Sequence, residues 1–96
     1  MQFEWDEKKA RMNEEKHGIS FEEASTVFED EQGILFEDPD HSLDEDRFIL
    51  LGISTSAKLL IVCHCYRGTD GIIRIISARK ATHSESEQYR EINERW

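Results

Sequence analysis

Three strand-like runs in the second half of the chain constrain the fold more than any other feature of the sequence. They are RFILLGIS, KLLIVCHCYR and IIRIISAR, and the connections between them, TSA and GTDG, are very short. A parallel return to the same sheet needs a crossover of about a dozen residues. The three runs therefore predict an antiparallel meander.

The N-terminal third predicts a short strand and two helices. MQFEW has the composition of a short strand at an edge of the sheet. A helix is expected from about Asp6 to His17, because acidic residues begin the segment, basic residues end it and Gly18 follows. Ser20, with Glu23 three residues later, predicts a capping box at the start of a second, shorter helix.

Two further elements complete the predicted order. GILFED predicts a strand that ends in a turn at Pro39, and the acidic segment SLDEDR follows as a loop. The tail predicts a last helix with Thr82 or Ser84 as its N-cap. The fold class is therefore α+β, with an antiparallel sheet of about four to five strands, two N-terminal helices, one C-terminal helix, and the helices on one side of the sheet. A chain of 96 residues has room for one domain, residues 1–96.

Charge is distributed unevenly along the chain. The net charge is −9, yet residues 1–47 hold 16 acidic and 5 basic side chains (−11), whereas residues 48–96 hold 5 acidic and 7 basic ones (+2). Charges are screened beyond about 10 Å in salt. The second half can therefore bind an anion locally, while the acidic half suits a basic partner protein.

Location and cofactors are predicted mainly from missing signals. The apolar runs are far shorter than the roughly 20 residues of a membrane-spanning helix, and MQFEWDEKK lacks the features of a secretory signal. We therefore expect a cytoplasmic protein without membrane contact. Cys63 and Cys65 are expected to be reduced and buried, because cysteines two apart on an extended strand cannot easily form a disulfide. A zinc site is disfavoured, because His64 points away from both thiols. The sequence contains no nucleotide-binding or metalloprotease motif, so we expect no cofactor and no metal.

The last predicted hairpin assigns side chains to two faces of the sheet. Either candidate turn pairs an odd residue with an even one. The face expected to form the core carries Ile61, Cys63, Cys65, Arg67, Ile72, Arg74, Ile76 and Ala78. The face expected to form a shallow binding groove carries Leu60, Val62, His64, Tyr66, Ile73, Ile75, Ser77 and Arg79. The face of Arg47 is left open, because the connection STSAK permits either offset.

The chemistry-bearing side chains each have two interpretations. Arg67, Arg74, Arg79 and Lys80 are the largest cationic group that the fold can assemble, and guanidinium groups suit phosphate. Alternatively, Arg67 and Arg74 face each other near the hairpin end and pair with carboxylates such as Asp70. His64 is either a proton donor and acceptor or a buried histidine with one hydrogen bond. On a regular strand, Arg74 and Arg79 face opposite ways unless a bulge near Ser77 turns one of them.

Several phrases together resemble the BrnT family of bacterial type II toxins. They are FEWDEKKARMNEEKHGISFEEASTVFED, DRFILLGIS and IIRIISARKAT, which occur in this order over nearly the whole chain. The resemblance implies a small cytoplasmic ribonuclease with a RelE-like fold, bound by a cognate antitoxin, with RNA on the sheet face beside the C-terminal helix. It also implies cleavage without a metal, in which the 2′-hydroxyl attacks while basic or phenolic side chains move protons and hold the phosphate.

Site residues follow from the resemblance and from the predicted geometry. The resemblance implies roles for Arg47, Arg74, Arg79 and Lys80, whereas His64 and Tyr89 are added from the geometry of the predicted elements. The predicted catalytic residues are Arg79, Arg74 and His64, and the predicted substrate-binding residues are Arg47, Arg67, Lys80 and Tyr89.

Two functions are compatible with these observations. The first is an endoribonuclease toxin that acts on RNA, inhibits translation and is held inactive by an antitoxin. The antitoxin is expected to be a ribbon-helix-helix DNA-binding protein, in a possible higher-order toxin–antitoxin complex. The alternative is a non-catalytic binding module that forms a complex with such a basic partner. The acidity of the first half favours a surface for a basic antitoxin over direct RNA cleavage.

Overall fold

A computed structural model describes residues 1–38, 46–69 and 71–94. In chain order, the elements are β1 (Gln2–Glu4), α1 (Glu7–His17), α2 (Phe21–Thr26), a 3₁₀ turn (Val27–Glu29), β2 (Ile34–Glu37), β3 (Phe48–Ile53), β4 (Leu59–Arg67), β5 (Ile72–Lys80) and α3 (His83–Asn93). This order confirms the sequence prediction of one strand, two helices, four strands and a last helix. The predicted turn at Pro39, the loop that follows it and Asp70 lie outside the described residues.

The five strands form one mixed sheet in the order β1-β5-β4-β3-β2. The pairs β2–β3, β3–β4 and β4–β5 are antiparallel, which confirms the meander. The prediction of a wholly antiparallel sheet is wrong, because β1 runs parallel to β5. β1 and β5 are distant in the chain, so no short connection dictates their relative direction.

Local hydrogen bonds explain where the helices begin and end. The Asp6 carboxylate accepts a bond from the Lys9 amide at the start of α1, and Gly18 ends α1 in the left-handed conformation, with φ of 73°. Ser20 accepts a bond from the Glu23 amide at the start of α2. At α3, Thr82 forms a complete capping box with Glu85.

Helices pack on both faces of the sheet. The larger core joins Ala10 of α1 and Phe21 of α2 to Leu60, Val62 and other buried residues of the sheet. A smaller core joins Tyr89 of α3 to residues that point the other way from the same strands, including Leu51 and Ile61. The prediction that all helices lie on one side is therefore wrong.

Beyond β1, a buried side chain takes over the pairing of the β5 edge. β1 pairs only with Ile72–Arg74. Farther along, the Asn13 amide of α1 donates to the Ala78 carbonyl at 2.9 Å and accepts from the Ala78 amide at 3.0 Å. Asn13 also donates to the Ile19 carbonyl at 2.9 Å and is only 8% exposed. One side chain thus replaces the neighbouring strand that Ala78 would otherwise need.

None of the described helices is long and apolar enough to cross a membrane.

Candidate functional site

A bulge in β5 decides which arginines share a face. Cys65 lies opposite Arg74 and Cys63 opposite Ser77, so the register passes over Ile76, an extra residue in β5. An extra residue reverses the alternation of side chains along the strand that contains it. Arg74 and Arg79 therefore point to the same face, which is the outcome that a regular strand would forbid.

Two more arginines belong to this face. The alternation along β4 places Arg67 with Cys63 and Cys65, and Ile49 of β3 lies opposite Cys63. Arg47, one residue before β3, is close enough to Cys63 to influence its thiol. The open question about Arg47 is thereby settled, and we call the surface that carries Arg47, Arg67, Arg74 and Arg79 the arginine face.

Arg79 is engaged by a carboxylate from α3. Its Nη1 donates to Glu85 Oε1 at 2.8 Å and its Nη2 donates to Glu85 Oε2 at 3.0 Å, which is a bidentate pair. Nη1 also donates to the Lys80 carbonyl at 3.2 Å. The Arg79 guanidinium, more than any other neighbour, lowers the pKa of Glu85 to about 2. Glu85 is therefore an anion at neutral pH.

Arg74 is paired across the parallel strands. Glu4 lies opposite Arg74 in the register, and Nη1 of Arg74 donates to Glu4 Oε2 at 2.8 Å. Both side chains are partly exposed, at 30% for Arg74 and 38% for Glu4. Pairing with a carboxylate, one of the two interpretations of Arg67 and Arg74, thus holds for Arg74, although its partner is Glu4. Arg79 is paired in the same way with Glu85.

Cys63 lies between a carboxylate and a cation at the centre of the arginine face. Its thiol donates to Asp38 Oδ2 at 3.6 Å. Burial, reinforced by the Asp38 carboxylate and opposed by Arg47, raises the pKa of Cys63 to about 11. The thiol is therefore protonated at neutral pH and is a poor nucleophile.

The predicted assignment of core face and binding face is wrong. His64 is fully buried in the face that α1 and α2 cover, where it contacts the rings of Phe28, Phe48 and Tyr66. The prediction treated His64 and Tyr66 as a polar groove lining, whereas His64 is fully buried and only Tyr66 is exposed, at 48%. The alternative of a buried histidine with one hydrogen bond is confirmed. Nδ1 lies 3.2 Å from the Val62 carbonyl, and Nε2 is buried with no hydrogen-bond partner among the described residues.

Of the remaining predicted residues, Lys80 lies on the other side of the sheet, whereas Tyr89 lies on the same side as the arginines but is buried against Leu51 and Ile61. Lys80 is exposed and lies opposite Leu60, on the face of the larger core. Tyr89 is 8% exposed, and its hydroxyl donates to Asp30 Oδ2 at 2.7 Å. Asp30 accepts this bond together with one from the Ile53 amide at 2.9 Å, so Tyr89 ties α3 to the sheet.

A groove of about 300 Å³ lies beside the Arg79–Glu85 pair, between α3 and the β2 side of the sheet. Its lining residues are Phe36, Glu37, Ile49, Leu51, Ile61, Glu85 and Gln88. The groove is apolar at its base and acidic at its rim. It gives the arginine face a concave region next to the Arg79–Glu85 pair.

Sequence reasoning missed Glu4, Asp38 and Glu85 as parts of this surface. Glu85 was visible only as a helix-capping residue, and the six-residue separation from Arg79 spans a strand end and a helix start. The described ranges contain no group of three or more His, Cys, Asp or Glu side chains arranged to hold a metal ion.

Comparisons with known proteins identify relatives by sequence and by structure. A family profile described as "Ribonuclease toxin, BrnT, of type II toxin-antitoxin system" matches residues 5–85. The 1.1 Å crystal structure of the Brucella abortus ribonuclease toxin BrnT is similar, with a TM-score of 0.65 and 24% identity. The match covers 86% of this chain and 99% of the Brucella chain, and at this identity it shows the fold. A search of curated protein sequences gives no significant match.

Proposed function

The chain belongs to the BrnT family of ribonuclease toxins from type II toxin–antitoxin systems, and on this premise we propose that it is an endoribonuclease that cleaves RNA without a metal ion and thereby inhibits translation. We also propose that the fold is of the RelE-like type. The arrangement of Arg74 and Arg79 on one face of β5 is the observation that supports it most directly.

The arginine face suits the charge that develops when a phosphodiester is attacked. In the proposed reaction, the substrate 2′-hydroxyl loses its proton and attacks the adjacent phosphorus. The bond to the 5′-oxygen breaks, and that oxygen takes up a proton, leaving a cyclic phosphate. Guanidinium groups stabilise the extra negative charge of the transition state without a metal ion. Arg79 and Arg74 hold the phosphate in this proposal, and Arg47 and Arg67 bind neighbouring phosphates.

Burial argues against the predicted role of His64 in proton transfer. The ring packs against Phe28 of the 3₁₀ turn, on the opposite side of the sheet from the arginines. Burial also lowers the pKa of His64, which favours the neutral ring. We therefore leave His64 out of the proposed site.

Cleavage of a single-stranded RNA by the purified chain, in the presence of a chelator, tests the proposal. Arg79→Ala and Arg79→Lys are expected to lower the rate by about a hundredfold or more, because lysine keeps the charge but loses the bidentate geometry. Arg11→Ala is a matched control, since Arg11 is an exposed arginine on α1, across the sheet. Equal rates for the Arg79 and Arg11 variants would refute the assignment.

Family membership implies an antitoxin partner. The sheet edge formed by β2 favours partner binding as a second function. β2 is the outermost strand, and its Leu35 and Phe36 side chains are 53% and 37% exposed. Glu37 and Asp38 follow directly, so the edge is apolar and acidic. We propose that the antitoxin is a basic DNA-binding protein of the ribbon-helix-helix type, bound here in a higher-order complex.

Co-expression with the product of the neighbouring gene distinguishes the two functions. Tight copurification, with no RNA cleavage by the chain alone, would favour a binding module. Cleavage by the chain alone that stops when the neighbour is added would favour the toxin.

A further inference from the structure

The two terminal nitrogens of the Arg79 guanidinium, which we call the Arg79 fork, already bind an anion that belongs to the protein. Both terminal nitrogens of the guanidinium donate to the two oxygens of Glu85, at 2.8 and 3.0 Å. Glu85 Oε1 also accepts a bond from the Thr82 amide at 2.8 Å. The carboxylate therefore occupies the end of Arg79 that a phosphate would bind.

Carboxylate and phosphate present the same kind of acceptor pair to an arginine. Each offers two oxygens at the spacing of the guanidinium fork, so one fork cannot hold both at once. A phosphate brought near the intact pair also meets the negative charge of Glu85. Binding at the Nη1 and Nη2 end of Arg79 is therefore an exchange of one anion for another.

We infer that Glu85 sets the affinity of the arginine face for phosphate: its carboxylate is the resident occupant of the Arg79 fork, and a substrate phosphate binds there by displacing it. The inference rests on the proposed function for the identity of the substrate, RNA. The exchange itself depends only on the Arg79–Glu85 geometry.

The surroundings of the pair permit this exchange. The side chains of Arg79 and Glu85 are 40% and 25% exposed, so water reaches both and each is solvated when they separate. The start of α3 stays capped after release, because Thr82 Oγ1 accepts a bond from the Glu85 backbone amide at 3.2 Å. The carboxylate can therefore leave Arg79 without unfolding the helix.

A positioning role for Glu85 makes the opposite prediction. If Glu85 held Arg79 in the orientation that phosphate needs, removal of its charge would weaken binding. If Glu85 competes with phosphate, the same change strengthens binding. The sign of one measured effect separates the two roles.

Glu85→Gln and Glu87→Gln form a matched pair of variants. Each removes one negative charge from α3, and glutamine at position 85 still serves a capping box. Glu87 pairs with Arg90 on the same helix and not with Arg79. Binding of a short fluorescein-labelled single-stranded RNA is measured by anisotropy for the unmodified 96-residue chain and both variants, with Arg79→Ala as reference.

The expected result is about tenfold tighter RNA binding for Glu85→Gln, as for the release of one charge-assisted bidentate contact. Glu87→Gln is expected to change the affinity by less than about twofold, as for an exposed charge. Equal gains for the two variants would overturn the inference, because they would show a general charge effect. A loss for Glu85→Gln similar to that of Arg79→Ala would overturn it in favour of positioning.

Inorganic phosphate as a second probe separates this inference from the proposed function. RNA cleavage by the unmodified chain, with no tighter phosphate or RNA binding in Glu85→Gln, would refute the role of Glu85 and leave the ribonuclease standing. No cleavage by any variant, with tighter phosphate binding by Glu85→Gln alone, would refute the ribonuclease and support the exchange.

Discussion

Replacing Asn13 with alanine tests the link between α1 and the bulged strand that carries the arginines. The change removes three hydrogen bonds, two to Ala78 and one to the Ile19 carbonyl. Each such bond contributes about 1 kcal/mol net, and a buried group left without a partner costs about as much or more. We therefore expect the free energy of unfolding to fall by about 3 kcal/mol. This is a large part of the roughly 5–15 kcal/mol that a domain of this size has.

Urea unfolding followed by circular dichroism measures this loss, and amide hydrogen exchange locates it. The melting temperature should fall by on the order of 15 °C, and the Ala78 amide should lose its protection from exchange. Asn93→Ala is the matched control: Asn93 donates to the Tyr89 and Gln32 carbonyls near the end of α3, and its loss should cost less than about 1 kcal/mol. A loss below about 1 kcal/mol for Asn13→Ala would refute the reasoning, since water would then replace the amide fully.

Two further predictions concern titratable groups. His64→Leu should leave the rate of RNA cleavage within about twofold of that of the unmodified protein. It should change the free energy of unfolding by less than about 1 kcal/mol, because it removes one hydrogen bond together with a buried nitrogen that has no partner among the described residues. A tenfold loss of cleavage in a folded variant would restore a catalytic role for this histidine. The Glu85 carboxyl has a pKa of about 2 in the folded protein against an ordinary value of 4.5, so its contribution to stability is fully present above about pH 4.5 and is lost as the pH falls through 2. Because the pair with Arg79 is partly exposed, we expect a contribution of about 1 kcal/mol. It is measured as the difference between the unmodified protein and Glu85→Gln in urea unfolding at pH 6. A difference that is as large at pH 2 as at pH 6 would contradict this origin.

The features that the sequence predicted correctly depend on neighbours in the chain. The start of α2 is fixed by Ser20 and that of α3 by Thr82, and each cap lies within three residues of the amide that it satisfies. The meander follows from connections too short for any other return. Helix caps and short connections of this kind can be predicted from the sequence without knowledge of the tertiary structure.

The features that could not be predicted depend on contacts between distant residues. Nothing near β1 indicates that it pairs with β5 in the parallel direction. The choice of face for each helix rests on which stripe of the sheet it buries, and both faces of β4 offered apolar residues. No residue in IIRIISAR indicates a bulge at Ile76, although the bulge reverses the face of every later residue in the strand. The sequence could state only that Arg74 and Arg79 share a face if such a bulge exists.

The pairing of the arginines bears on how an acidic chain could carry the proposed phosphate site. The net charge of −9 opposes RNA at long range, and salt screens this repulsion beyond about 10 Å. At short range, Arg74 and Arg79 are already neutralised by Glu4 and Glu85, so the arginine face attracts anions less than its four guanidinium groups suggest. A partner that draws these carboxylates away would expose both cations at once, whereas a basic partner bound over the face would block it. On this proposal, the two ion pairs, Arg74 with Glu4 and Arg79 with Glu85, set both the affinity for a substrate phosphate and the sensitivity of the site to a basic protein.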